Sequence, residues 1–192
     1  MTEAHRRQKQ PEIVRQQLLS VARLLLVGEG AHAVTLDEVS RRAGVTKGGL
    51  QHHFPNKKAL LDALSDQLFA EFEHRFARLL AAEPATPGRN ARAYIRTCFD
   101  SDGGPDDIEM QLAIGLLALG TPEYRERWNE RMKIELATDH LAVKAPDLLL
   151  VCRLAADGFW FSQMLGVYDL DAAHKARVLS MLLALCAKAV KR

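Results

Sequence analysis

The sequence predicts an all-α protein. A small N-terminal bundle of three helices should precede a larger helical body, with about nine helices in total. Three observations lead there. Apolar residues recur at three- and four-residue intervals through most of the 192-residue chain. The period-two alternation of a half-buried strand is missing. Capping and breaking residues, among them Thr35, Gly44, Thr46 and Pro55, fall between the periodic stretches. Hydrophobic residues make up 48% of the chain and charged residues 26%, enough apolar material for a real core.

The elements follow in chain order. Pro11 suits the first turn of a helix, where its missing N–H costs nothing. Val14, Leu18, Val21, Ala22, Leu25 and Leu26 then share one face, and Gly28 and Gly30 end the helix. His32 and Ala33 lie in the connection. Thr35 and Glu38 form a capping box: the hydroxyl should accept from the backbone near Glu38, and the carboxylate should reach back. Leu36, Val39 and Ala43 line the second helix. Gly44 supplies a tight turn, because glycine takes positive φ without penalty. Val45 is an apolar anchor, Thr46 caps a third helix, and Leu50 and Phe54 face inward. Pro55 and Asn56 end it.

A long helix should run from Lys57 past Leu80, with Leu60, Leu61, Leu64, Leu68, Phe72, Phe76 and Leu79 on its apolar face. Loops are expected at Ala85–Gly88 and Asp102–Pro105. Further helices are expected at 88–100, 106–119, 122–143, 147–167 and 171–190. Pro146 and Asp169 to Asp171 bracket the last two.

Composition narrows the function. Apolar runs such as Leu24–Val27 and Leu148–Val151 are too short to span a bilayer. The first residues carry Glu3, His5, Arg6, Arg7 and Lys9 with no apolar segment behind them, so a secretory leader is not expected and the cytoplasm is. Cys98, Cys152 and Cys186 are odd in number and far apart, which suits small buried hydrophobes rather than a disulfide framework or a zinc site. Residues 1–58 hold ten Lys/Arg against five Asp/Glu, net +5, whereas residues 59–192 hold sixteen against nineteen, net −3. A basic head on a mildly acidic body points to a polyanion bound by the head alone.

No Gly-rich phosphate loop, nucleophile elbow or Cys-His pair is present. Glu71-x-x-His74 has the spacing of a helical di-iron carboxylate motif, and Asp171-x-x-His174 is a looser echo. The remaining ligands of such a site are not evident, so Glu71, Glu73, His74 and Arg75 are read as a solvated face. His52 and His53, neighbours on a helix, point about 100° apart and make a poor chelate. No metal, cofactor or catalytic residue is expected.

The informative stretch is Thr35 to Lys58. Two short helices joined by a glycine turn make a helix-turn-helix. With Leu36, Val39, Ala43, Val45, Leu50 and Phe54 packed inward, Lys47, Gly48, Gly49, Gln51 and His52 are left on the outer side. That side would enter the major groove. The stretch resembles the DNA-binding domain of the TetR family of bacterial regulators. The resemblance is carried by Thr35-Leu36-x-x-Val39, Ala43-Gly44-Val45-Thr46-Lys47-Gly48, Leu50, His53-Phe54 and Asn56-Lys57. One departure stands out: Gln51 and His52 occupy positions where the family favours aromatic residues.

The resemblance implies a helix-turn-helix DNA-binding domain at 1–56 and an effector-binding, dimerising domain at 57–192. It implies phosphate contacts at Thr35, Thr46 and Lys57, of which the two threonines also suit helix N-termini. Lys47 and Gln51 are the candidates for base readout, since Lys pairs with guanine acceptors and Gln with adenine. His52 and His53 complete the contact set. Gly48 and Gly49 each cost roughly 1 kcal/mol in a helix, which close approach to DNA would explain. Arg6, Arg7 and Lys9 form a basic tail that could reach phosphates or the minor groove.

The last two helices are apolar on most sides and need cover. The resemblance implies a homodimer through them, two helices from each subunit, and Leu182 is the expected interface position. Two recognition helices one turn of DNA apart, about 34–36 Å, would read a palindromic double-stranded operator. Phe99, Met110, Trp128, Phe159 and Met164 are the candidate lining of a pocket for a small, bulky, mostly hydrophobic effector. The function expected is a ligand-responsive transcriptional repressor. The alternatives are a helical-bundle metalloenzyme and an architectural DNA-binding protein without a ligand; the large apolar body weighs against the latter.

Overall fold

The structure, a computed structural model, describes residues 3–99, 105–140 and 143–190, with side chains described from Pro11 onward except at 105–108 and 140. Among the described residues there are nine α-helices and no strand: α1 (Glu3–Glu29), α2 (Leu36–Ala43), α3 (Lys47–His53), α4 (Lys57–Ala82), α5 (Arg89–Phe99), α6 (Pro105–Gly120), α7 (Pro122–His140), α8 (Pro146–Leu165) and α9 (Ala172–Val190). Asp102–Gly104, part of an expected loop, lies outside the described residues.

The chain forms two compact units. The first holds residues through Phe69 together with Leu112–Pro122; the second holds Ala70–Gln111 and residues from Glu123 onward. In the first, α1 packs on α2 and α2 on α3. Its core includes Leu18, Leu25, Leu26, Val34, Val39, Leu50, Leu60 and Leu64, all fully buried. In the second, α5, α8 and α9 pack on one another. Their shared core runs from Ala91, Ile95 and Phe99 through Leu149, Cys152, Ala156 and Phe159 to Leu182, Cys186 and Ala189.

Four expectations need correction. Helix α1 begins well before Pro11, which therefore sits inside it and removes one backbone hydrogen bond there. The Glu71–Arg75 stretch is not a solvated face. Arg75 is buried, and the half-buried Glu73 pairs with Arg131 of α7. Leu182 is only 7% exposed and belongs to the core between α8 and α9, so it is not an outer position. Finally, α8 is long and apolar enough to cross a membrane by length and composition. Unbroken apolar runs understate it, because Arg153 and Asp157 interrupt them. Both side chains instead take part in a polar network inside the second unit.

Candidate nucleic-acid interface

The reading head is built on two caps and one turn. Thr35 Oγ1 accepts from Glu38 N at 3.1 Å, and Thr46 Oγ1 accepts from Gly49 N at 3.0 Å. Each satisfies a backbone donor that a helix start would otherwise leave open. Half of the expected capping box is absent. The Glu38 carboxylate turns to Arg41 and Arg42, with contacts of 2.5–2.9 Å, rather than back to Thr35. The two guanidinium groups hold its carboxyl down at about 2. Gly44 closes α2 at φ 67°, and its N–H reaches back to Arg41 O. The left-handed region is where glycine has the advantage.

Helix α1 fixes the pair. Gln17 Nε2 donates to Ala43 O at 2.9 Å, and Arg42 meets Glu29 at 2.5 Å. The Arg15 guanidinium lies over the Phe54 ring, 5.4 Å from its centroid. Asn56, read from the sequence as a breaker and, with Lys57, as part of the family resemblance, caps α4: its Oδ1 accepts from Ala59 N at 2.9 Å. Its position one residue before the periodic run was the available signal.

Within α3 only Leu50 is buried. Lys47, Gly48, Gly49, Gln51 and His52 are exposed, and His53 is half-buried with its ring against His52 and Phe54. Lys47 Nζ lies 2.8 Å from Asp37 Oδ1, with both side chains more than half exposed. Such a pair is weak and readily exchanged. Lys57 Nζ donates to Ala31 O at 2.9 Å, so its ammonium is held at the connection between α1 and α2. The two glycines differ. A Cβ at Gly49 would meet Thr46 Oγ1 at 3.1 Å, so the cap itself favours glycine there. A Cβ at Gly48 would meet nothing within 4 Å, and nothing inside the chain asks for glycine.

In the second unit, Phe99 and Phe159 come together as stacked rings with centroids 3.9 Å apart. Trp128 sits edge-on to Phe72 at 4.7 Å. Met110 is buried and Met164 half-buried. Sequence reasoning missed the buried charges among them: Arg75, Glu135, Asp139 and Arg153. An arginine inside the apolar run of α8 was the signal for Arg153. Among the described residues no group of three His, Cys, Asp or Glu side chains could hold a metal ion.

An all-helical chain with an exposed helix held against a capped partner across a glycine turn defines the class of helix-turn-helix DNA-binding proteins. The comparisons narrow the class to a family. Residues 18–64 match the model for bacterial regulatory proteins of the tetR family, and residues 88–187 match the tetracyclin repressor-like C-terminal domain. The chain belongs to the TetR family. It is 52% identical over 52 residues to the transposon Tn10 TetC protein of Escherichia coli, covering 27% of this chain and 26% of that one. The chain spans between 26% and 58% of the length of the first curated relatives it matches. A TetR-family transcriptional regulator from Streptomyces coelicolor shares the fold with a TM-score of 0.70 at 18% identity, covering 98% of this chain and 95% of that one. SmeT in its triclosan complex does so at 0.66 and 18%, covering 90% of each chain. The family is one of DNA-binding transcriptional regulators. Its members are generally ligand-responsive repressors.

Proposed function

We propose that this chain is a cytoplasmic repressor that binds a palindromic operator as a homodimer and is released by a small, mostly hydrophobic effector. The observation that carries the DNA half is the outer side of α3, where five consecutive-turn positions are exposed and only Leu50 is spent on packing. On this reading residues 1–56 are the DNA-binding domain and 57–192 the effector and dimer domain. Lys47 and Gln51 read base edges; Thr35, Thr46 and Lys57 hold phosphates; His52 and His53 add contacts beside them. The open space at Gly48 lets the backbone approach DNA closely.

The dimer half is supported by the outer stripe of α8 and α9. Val151, Leu154, Phe161, Leu165 and Met181 are between 39% and 68% exposed in the single chain. Large side chains spaced in this way want cover, and a second copy of the same two helices supplies it. SmeT, whose structure is a complex with triclosan, supports a small-molecule ligand by family likeness.

The mechanism is a shift between conformations. Helix α4 starts at Lys57 and carries Phe72 and Phe76 further along. An effector that prefers one tilt of α4 changes the separation of the two heads, and the dimer no longer fits its site. A gel-shift titration with purified protein and a selected operator tests this. A saturating effector should abolish the shifted band, and an unchanged band would end the mechanism for that compound.

A further inference from the structure

We propose that Arg153 anchors the acidic end of the effector, so that the ligand class is a hydrophobic carboxylic acid; this rests on the reading of the second unit as the effector domain. Arg153 sits in mid-α8 and is 4% exposed. Its Nε and Nη2 lie 2.8 and 2.7 Å from one oxygen of Asp139, and Nη2 lies 3.5 Å from Glu135. Its Nη1 is buried and, among the described residues, has no hydrogen-bond partner. A buried guanidinium normally has its donors matched, and an open one is a strong, directed site for a carboxylate oxygen.

The surroundings suit an amphipathic acid. Asp139 is already held, because its other oxygen accepts from Ala91 N at 3.2 Å, so Arg153 is fixed from one side. Arg153 lies over Tyr94, 4.8 Å from the ring centroid. The Tyr94 hydroxyl donates to Asp157 at 2.5 Å. Among the described residues, the acidic groups near the site are Asp139, Glu135 and Asp157. The first pairs with Arg153 and the second with Arg131. Burial pushes the Asp157 carboxyl up from its ordinary range, which weakens its opposition to a second carboxylate. Further along the same two helices, α5 and α8, the stacked Phe99 and Phe159 form an apolar end. The α5–α8 seam thus has a cationic donor at one end and two aromatic rings at the other.

A purely structural ion pair joining α5, α7 and α8 is the competing explanation, and ligand selectivity separates the two. The probes are straight-chain acids from hexanoate to hexadecanoate, and phenylbutyrate, each with its matching primary alcohol. They are titrated into the full chain and followed by tryptophan fluorescence and thermal shift. Acids should bind about tenfold or more tighter than their alcohols, as one charge-assisted hydrogen bond allows. Arg153→Lys keeps a cation for Asp139 but drops the spare nitrogen. It should keep the wild-type circular dichroism spectrum and lose the preference for acids. Should Arg153→Lys not fold, the paired variant Arg153→Met/Asp139→Asn removes both buried charges and should show the same loss. Acids and alcohols binding alike would overturn the proposal and leave a neutral hydrophobic effector standing. An undiminished acid preference in the folded variants would also overturn it. No binding by any probe would remove both the proposal and the hydrophobic-effector reading.

Discussion

A side chain that holds a phosphate and one that reads a base edge fail differently when removed. Lys57→Ala should weaken binding to every DNA sequence and reduce the slope of log affinity against log salt by about 1. Affinity measured over a range of salt checks this, and an unchanged slope would remove Lys57 from the phosphate contacts. Because Lys57 also donates to Ala31 O, its melting temperature belongs beside the binding data. Gln51→Ala should instead change which base is preferred at its position in each half-site, with a discrimination of about 1–3 kcal/mol lost there. Binding to sites randomised at single positions reads that directly. Glu38 gives a pH prediction. Its carboxyl sits at about 2 in the folded chain against an ordinary 4.5, held down by Arg41 and Arg42. A depressed carboxyl stabilises the fold above its unfolded value and loses that contribution as pH falls through the folded one. Melting temperature should therefore drop between pH 4.5 and 2, and Glu38→Gln should flatten part of that limb. The Thr35 cap was legible in the sequence, but the direction of the Glu38 carboxylate was not. Arginines at 41 and 42, one turn on, compete for it more strongly than a backbone amide does.

At the scale of elements, the turn and the outer stripe carry the sharpest consequences. Gly44→Ala places a Cβ at φ 67° and should cost about 1–2 kcal/mol in denaturant unfolding, the penalty of a left-handed residue. Met181→Glu and Leu182→Glu are adjacent but should differ. Met181 is 65% exposed and Leu182 7%. The first should give folded monomers by light scattering that no longer bind operator, and the second should unfold the helical body. Monomers that still bind a full operator tightly would remove the dimer from the account. Helix positions were legible from periodicity and punctuation: α4, α5, α8 and α9 start within two residues of expectation. Helix faces were less so. Helix α9 is apolar nearly all round, and its pattern does not say whether Met181 or Leu182 faces its own chain. Arg75 reads as a surface residue in the sequence and Arg153 is not singled out, because the groups that compensate buried charge lie on other helices, as Asp139 and Glu135 do for Arg153. The charge inside an apolar run is visible locally, but the partner that compensates it is not. The base-contact candidates were accessible from the same pattern by subtraction: once Leu50 and Phe54 are assigned inward, the outer side of α3 is what is left.

At the scale of the whole molecule, α4 runs through both units, so on the proposed reading of one as the DNA-binding unit and the other as the effector unit, ligand binding in one has a covalent route to the other. The central claim is that two copies read DNA together. Selection of binding sites from a random DNA pool by the purified chain tests it most directly. The account predicts enrichment of a two-fold symmetric sequence with half-sites about one helical turn, 10–10.5 base pairs, or a multiple of it apart. A single asymmetric half-site, or no enrichment over the starting pool, would contradict it.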